Sequence, residues 1–229
     1  MVRPPTGGAA GGRGLGQRVK TAADRSMSSA EWLRRQLNDP YVQQAKAEGW
    51  RSRAAFKLLE IDDRFHLLRR GARVVDLGCA PGGWVQVALK RGAGAVAGVD
   101  LLHVDPILGA ELIEGDFTDP AMPARLLNAL GGAPDLVLSD MAPNTSGHRE
   151  TDHLRIVGLI EAAAAFAAGA LRPGGSFVAK SFQGGAAGEL LARLKADFDE
   201  VRNVKPRASR AESSEVYVVA TGLRAGRAG

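Results

Sequence analysis

Asp76-Leu77-Gly78-Cys79-Ala80-Pro81-Gly82-Gly83-Trp84 decides how this chain folds. A largely apolar stretch, Ala72 to Leu77, carries a carboxylate near its end and then breaks into a glycine turn. Beyond the turn an apolar-periodic stretch begins, Trp84 to Leu89. The order is strand, tight loop, helix. Glycines let the backbone come close to a ligand where a Cβ would collide. The helix start beyond them offers unpaired N–H groups. An open α/β sheet holds a nucleotide-like ligand in this way, at the carboxyl ends of its strands.

Glycine spacing separates two kinds of ligand. A dinucleotide loop reads G-x-G-x-x-G, placed for a pyrophosphate. Here the glycines are Gly78, Gly82 and Gly83, with Pro81 among them. Proline removes one N–H donor and stiffens the turn. That spacing disfavours a nicotinamide dehydrogenase and suits a bulkier ligand. A second carboxylate, Asp100, ends the stretch Ala95 to Asp100, 22 residues after Gly78. A ribose-hydroxyl acceptor sits at about that spacing in such folds. A third, Asp116, follows Glu111-Leu112-Ile113-Glu114-Gly115. Three strand-end acids around one glycine loop suit a ligand with ribose hydroxyls, an adenine amine and a positive charge. S-adenosylmethionine has all three. The plainer alternative is an ordinary turn with solvated acids. Cys79, the only cysteine, reads as a small residue that fits the turn, not as a catalytic thiol. A single cysteine excludes an internal disulfide and fits a reducing cytoplasm.

Outward from the loop, strands are predicted at 72–77, 95–100, 111–114, 135–140, 175–180, 199–204 and 214–220, and helices at 83–91, 121–130, 152–170 and 187–197. The alternation predicts an α/β fold: a seven-stranded, mostly parallel sheet covered by helices on both faces. The last two strands have only a short basic connection, Lys205 to Ser213, which suits an antiparallel hairpin. Before the sheet, Ser28 or Ser29 with Glu31 and Trp32 reads as a helix start. Asn38-Asp39-Pro40 ends that helix and opens another, Tyr41 to Glu48. Ser52 is expected to N-cap a helix carrying Phe56, Leu59, Phe65 and Leu67. Residues 1–27 read as a disordered Gly/Arg-rich tail, 28–223 as a single domain with basic N-terminal helices, and 224–229 as a second tail.

The net charge of +5 is unevenly spread. Residues 1–70 hold 14 Lys and Arg against seven Asp and Glu, whereas residues 71–229 hold 16 against 18. A basic N-terminal third is an electrostatic footprint for a polyphosphate partner, with Arg34, Arg35, Arg51 and Arg53 the expected phosphate contacts. No apolar run reaches the length of a membrane span, so no membrane partner is expected. The glycine-rich start lacks the apolar centre of a secretory signal. A cytoplasmic protein acting as a monomer is expected. His66, His103, His148 and His153 are scattered, so no metal is implied. His148 and His153 flank Glu150 and Asp152 in what reads as a loop.

Four further ionisable residues stand where chemistry could occur. Asp140 ends Leu136-Val137-Leu138-Ser139, and Lys180 ends Gly175-Ser176-Phe177-Val178-Ala179. Both meet the rule that strand carboxyl ends line the ligand crevice. Glu215 opens the final strand and meets it if that strand runs antiparallel. Lys57 lies on the helix after Ser52, where a lysine is ordinarily just solvated.

Here the chain resembles a known family. Arg51-Ser52-Arg53-Ala54-Ala55-Phe56-Lys57-Leu58, the Asp76 to Trp84 loop, Asp100-Leu101-Leu102, Gly115-Asp116-Phe117, Ser139-Asp140-Met141-Ala142-Pro143-Asn144, Lys180 and Ser214-Glu215-Val216-Tyr217 resemble the FtsJ family. Its members are S-adenosylmethionine-dependent ribose 2′-O-methyltransferases. The likeness is greatest to the bacterial enzymes that methylate a uridine of large-subunit (23S) ribosomal RNA. One departure is Ala55, where the family often has an aromatic residue. The resemblance implies a Rossmann-like methyltransferase fold and a catalytic tetrad of Lys57, Asp140, Lys180 and Glu215. It also implies cofactor contacts at Gly82, Trp84, Asp100, Asp116 and Asp140. Ribosomal RNA or the large subunit is the implied partner, with the assembled subunit the expected form. A transfer-RNA or messenger-cap methyltransferase is an alternative within the family. A ribosome-assembly factor that binds RNA without catalysis is an alternative outside it, disfavoured because a pure binder needs no such tetrad.

In that chemistry the acceptor hydroxyl must shed its proton as the methyl carbon is attacked. Lys180 is the group chosen for that proton, either removing it or polarising the hydroxyl. Asp140 would steer Lys180, and Lys57 and Glu215 would fix the substrate ribose.

Overall fold

A computed structural model of the chain describes residues 37–142, 149–182 and 187–226. The elements run α1 (Pro40–Ala47), α2 (Ala54–Phe65), β1 (Arg73–Leu77), α3 (Gly83–Lys90), β2 (Ala95–Asp100), β3 (Ala110–Glu114) and α4 (Met122–Leu130). They continue with β4 (Leu136–Ser139), α5 (Arg149–Ala170), β5 (Ser176–Phe182), α6 (Ala187–Asp197), β6 (Phe198–Val204) and β7 (Glu215–Leu223). The seven strands form one sheet in the order β3-β2-β1-β4-β5-β7-β6. β7 is antiparallel to both its neighbours, and the other pairings are parallel. The final hairpin and its antiparallel strand agree with the sequence reading.

Strand sequences explain the two-sided sheet. Neighbouring residues of a strand point to opposite faces. Val74, Leu136, Leu138, Val178, Tyr217 and Val219 join one buried cluster with Phe56, Leu58, Ile61, Trp84 and Val87 from α2 and α3. Val75, Leu77, Val137, Phe177, Val218 and Ala220 join the other, with Leu126, Ala163, Ala167, Leu190 and Leu194 from α4, α5 and α6. Both faces are covered, so the strands read as near-continuous apolar runs.

The N-terminal helices follow local signals with one correction. Asp39 caps α1: its Oδ1 accepts from the Tyr41 amide at 3.0 Å, and Pro40 takes the first helical position. Ser52 does not cap α2. Arg53 holds the cap position in a helical conformation, with no side-chain cap bond. The Ser52 hydroxyl instead faces α3, 2.5 Å from where a Cβ on Gly83 would lie, and it is buried without a partner. The approach of α2 to α3 therefore requires glycine at 83. The helix start expected near Ser28 and the 1–27 tail lie outside the described residues. Arg224, expected in the second tail, donates to the carbonyls of Lys195 and Ala196 at 3.1 and 2.7 Å and belongs to the fold.

Strand order reverses between β1 and β4: β2 and β3 follow outward on one side, and β5 follows on the other, where β7 then inserts between β5 and β6. A crevice opens at such a switch point, outside the strands' carboxyl ends. Leu77 pairs with Ser139 across it, which sets Gly78 beside Asp140.

Candidate active site

Six side chains at this edge form one unbroken hydrogen-bonded array. Lys180 projects from β5 two residues before the strand ends, since β5 runs on past the expected end at 180 to Phe182, and it is 8% exposed. Its Nζ donates to the Asp140 carbonyl at 2.6 Å and lies 3.1 Å from Asp140 Oδ1. The Tyr217 hydroxyl donates to the same Oδ1 at 2.8 Å. Lys57 Nζ donates to the Tyr217 hydroxyl at 3.0 Å and pairs with Glu215 Oε1 at 2.7 Å. The Ser209 hydroxyl donates to that Oε1 at 2.9 Å. Two lysines thus face two carboxylates, with a phenol between the pairs. A buried array of this kind tolerates its charges because every member has a partner.

The electrostatics follow from the contacts. Burial alone would raise the Asp140 carboxyl, but Lys180, then Lys57, and the bonds from Tyr217 and Lys180 outweigh it and hold the group below the usual aspartate range. Burial, reinforced by Asp140 and Glu215, pushes the Tyr217 hydroxyl well above its ordinary value. Tyr217 is therefore a neutral donor, not a phenolate. The four groups expected as a tetrad are brought together. Tyr217 and Ser209 are the two members that the sequence reading did not pick out.

Next to the array lies a cavity of about 280 Å³ lined by Gly78, Ala80, Asp100, Asp116, Asp140 and Met141, among others. Asp100 accepts from the Ala80 amide and the Leu102 amide, both at 2.9 Å, one on each oxygen. An ionised carboxylate has about four acceptor sites, so capacity remains. Asp116 Oδ1 accepts from the Thr118 hydroxyl and amide at 2.7 and 2.8 Å, bonds that hold this exposed carboxyl below its usual range. Gly78 stands at φ +79°, and a Cβ there would lie 2.7 Å from Met141 Cγ. Gly82 and Trp84 do not line the cavity. Gly82 caps α3 at φ 107°. The Trp84 ring is buried, donating to the Ala54 carbonyl at 2.8 Å and lying 5.7 Å from the Tyr217 ring. What these two residues present to the loop is backbone, at the first turn of α3.

Asp76, at the foot of the loop, is 1% exposed, and neither carboxyl oxygen has a partner. Burial first, then Asp140 and Asp100, raise it well above the usual aspartate value. The folded protein therefore keeps a proton that the unfolded chain releases above about pH 3.9, and stability falls as pH rises through that window. Asp76→Asn is expected to raise the melting temperature of the ligand-free protein near neutral pH. Near or below about pH 4 the two proteins should melt alike. Melting curves across the range check this, and a pH-independent difference would contradict it.

Two residues expected to contact phosphate are engaged internally instead. The Arg51 guanidinium donates to the carbonyls of Pro81, Asp105 and Pro106 at 3.1, 2.7 and 3.0 Å, tying the glycine loop to the segment after β2. Arg53 pairs with Asp39 at 2.9 Å and donates to the Ala208 carbonyl. Arg34 and Arg35 lie outside the described residues. Cys79 is buried, and burial with Asp76 and Asp100 nearby pushes its thiol up, which leaves it inert. Among the described residues no three His, Cys, Asp or Glu side chains are grouped to hold a metal ion, and no helix is long and apolar enough to cross a membrane. Glu150, Asp152 and His153, expected in a loop, lie instead in the first turns of α5, which begins at Arg149; His148 and the side chains of the other three lie outside the described residues.

Residues 50–223 match the sequence model of a family described as FtsJ-like methyltransferase. A Caulobacter vibrioides protein named ribosomal RNA large subunit methyltransferase E is 61% identical over 224 residues, covering 98% of this chain and 99% of its own. A Granulibacter bethesdensis protein of the same name is 62% identical over 223 residues, covering 97% and 95%. A Plasmodium falciparum crystal structure whose description names a ribosomal RNA methyltransferase superposes with a TM-score of 0.68 at 29% identity, covering 76% of this chain and 98% of that one.

Proposed function

The chain belongs to the FtsJ-like methyltransferase family, and we propose that it methylates the 2′-hydroxyl of a uridine ribose in large-subunit ribosomal RNA, presented in the assembled subunit. The family uses S-adenosylmethionine. The residues present fit that group: the strand-end acids Asp100, Asp116 and Asp140 line the cavity beside the glycine loop, and the Asp76 carboxyl at the foot of that loop is buried with no partner. When bound, it supplies a methyl group already activated by a positively charged sulfur.

The observation that carries the reading is the array itself, set at the mouth of an acid-lined cavity. Asp100 and Asp116 hold the hydroxyl- and amine-bearing parts of the cofactor, and Trp84 contributes a first-turn N–H of α3, while Gly82, whose own N–H is bonded to the Cys79 carbonyl at 2.6 Å, shapes the turn that lets the cofactor approach. Asp140 serves both sides, facing the cavity with its carboxylate while it holds Lys180 and Tyr217. Lys180 turns two N–H groups to Asp140; taking the acceptor's proton requires the neutral amine, whose lone pair is then the third position, facing the hydroxyl. Lys180 orients the ribose hydroxyl and takes its proton, and Lys57 with Glu215 positions the ribose. Alignment and one proton transfer are most of what the reaction asks of the protein.

The basic excess of residues 1–70 supports a polyanionic substrate. All six groups of the array come from one chain, in keeping with an enzyme that acts as a monomer, and a ribosomal RNA substrate is in keeping with a cytoplasmic location. Transfer of labelled methyl to large subunits, free ribosomal RNA and transfer RNA tests the substrate. Label on a ribose of large-subunit RNA, with subunits preferred to free RNA, is the expected result. Labelling of transfer RNA alone would overturn it.

Asp100→Ala is expected to weaken S-adenosylmethionine binding by roughly 1.5–3 kcal/mol, the range for hydrogen bonds to a charged group. Calorimetry on the folded variant measures this directly. An unchanged affinity would remove Asp100 from the cofactor site.

A further inference from the structure

We propose that Ser209 is a positioning residue for methyl transfer: its hydroxyl holds the Glu215 carboxylate where it grips Lys57. The proposal rests on the reading of Lys57 and Glu215 as part of the catalytic array.

One carboxylate oxygen receives both donors, Ser209 Oγ at 2.9 Å and Lys57 Nζ at 2.7 Å. A glutamate side chain has several rotamers, and ordering such a chain carries an entropy cost. A second donor on the same oxygen selects the rotamer that reaches Lys57 before substrate arrives. Catalytic groups gain most when their supports lock them in this way.

The loop that carries Ser209 is itself anchored. Glu60 accepts from the Arg207 and Ala208 amides at 2.6 and 3.0 Å, one on each oxygen. Arg53 donates to the Ala208 carbonyl, and Asp39 pairs with both Arg53 and Arg210, at 2.9 and 3.5 Å. The Ser209 amide closes a turn onto the Pro206 carbonyl at 2.9 Å. Ala208 is fully buried and Ser209 is 7% exposed. Glu60 and Lys57 are three residues apart on α2, on one side of the helix. The same helix thus carries Lys57 and the anchor of the loop that returns a hydroxyl to the partner of Lys57. Length and charge of the 205–213 connection reveal none of this. The arrangement appears only when the loop folds back across α2.

The test uses the full-length protein with large ribosomal subunits and labelled methyl donor. It compares Ser209→Ala, Glu215→Gln and the double variant. Ser209→Ala is expected to lower kcat roughly ten- to a hundredfold, about what loss of a hydrogen bond to a charged group yields. KM for the methyl donor and the melting temperature should stay unchanged. In the Glu215→Gln background, Ser209→Ala should add little, because the group it positions is already impaired. A full turnover in Ser209→Ala while Glu215→Gln is impaired would overturn the proposal. So would a loss that multiplies fully in the double variant, since that is the mark of a merely structural loop. Full turnover in Glu215→Gln would instead overturn the underlying role of Glu215.

Discussion

Lys180→Ala is expected to lower turnover by about 10²–10⁴-fold, the span typical of a proton-transfer group, while affinity for S-adenosylmethionine stays nearly unchanged. The split follows from where the side chain lies. Lys180 lies near the carboxyl end of β5 and reaches Asp140, not the cavity lining around Gly78, Ala80 and Asp116. Its loss leaves the glycine loop, Asp100 and Asp116 as they were. Asp140 retains the Tyr217 hydroxyl as donor. Single-turnover methyl transfer and calorimetric titration of the cofactor measure the two halves separately. A variant that keeps even a tenth of wild-type turnover would remove Lys180 from the proton's path. A variant that loses cofactor binding in proportion would make Lys180 a cofactor contact instead.

Different parts of this architecture were legible to different degrees, and the reasons are physical. The parallel strands were readable because both sheet faces are buried, so Val74-Val75 and Leu136-Val137-Leu138 leave uninterrupted apolar runs. Asp100, Asp140 and Lys180 were readable because a charge that ends such a run must face the crevice. Tyr217 was not, because Val216-Tyr217-Val218 has the composition of any core strand and the ring is fully buried. Only the register of β7 on β5, which pairs Tyr217 with Lys180, turns its hydroxyl into a bridge. One signal was available: residues two apart share a strand face, so Glu215 in the site implied Tyr217 beside it. Arg51 and Arg53 misled for the opposite reason. Their charge suggested an external partner, but their acceptors are carbonyls and a carboxylate brought close by the fold, Ala208 among them. Local charge patterns carry no information about such distant acceptors.

Asp140→Ala is expected to lose turnover, stability and cofactor affinity at once, where Lys180→Ala breaks the same buried pair but leaves the cofactor contacts in place. The carboxylate joins the two halves of the site: it lines the cavity, pairs with Lys180 and accepts from Tyr217. Removing it leaves a buried lysine without its counter-charge and a buried phenol without its acceptor. Breaking a buried pair from one side costs about 3–5 kcal/mol, so a large fall in melting temperature is expected. Turnover should drop at least as far as in Lys180→Ala, since Lys180 loses the group that aims it. Cofactor affinity should fall as well, because one of the acids facing the cavity is gone. Acidification gives a further check. Asp140 is held below the usual aspartate range, so its contribution to stability is present above about pH 4 and is lost as pH falls below that. The stability gap between wild type and variant should therefore be wide at neutral pH and shrink on acidification. A gap that stays constant down to acid pH would mean that Asp140 stabilises the fold by packing and not by charge. The assignment of its carboxylate as the link between cofactor and acceptor would then fail.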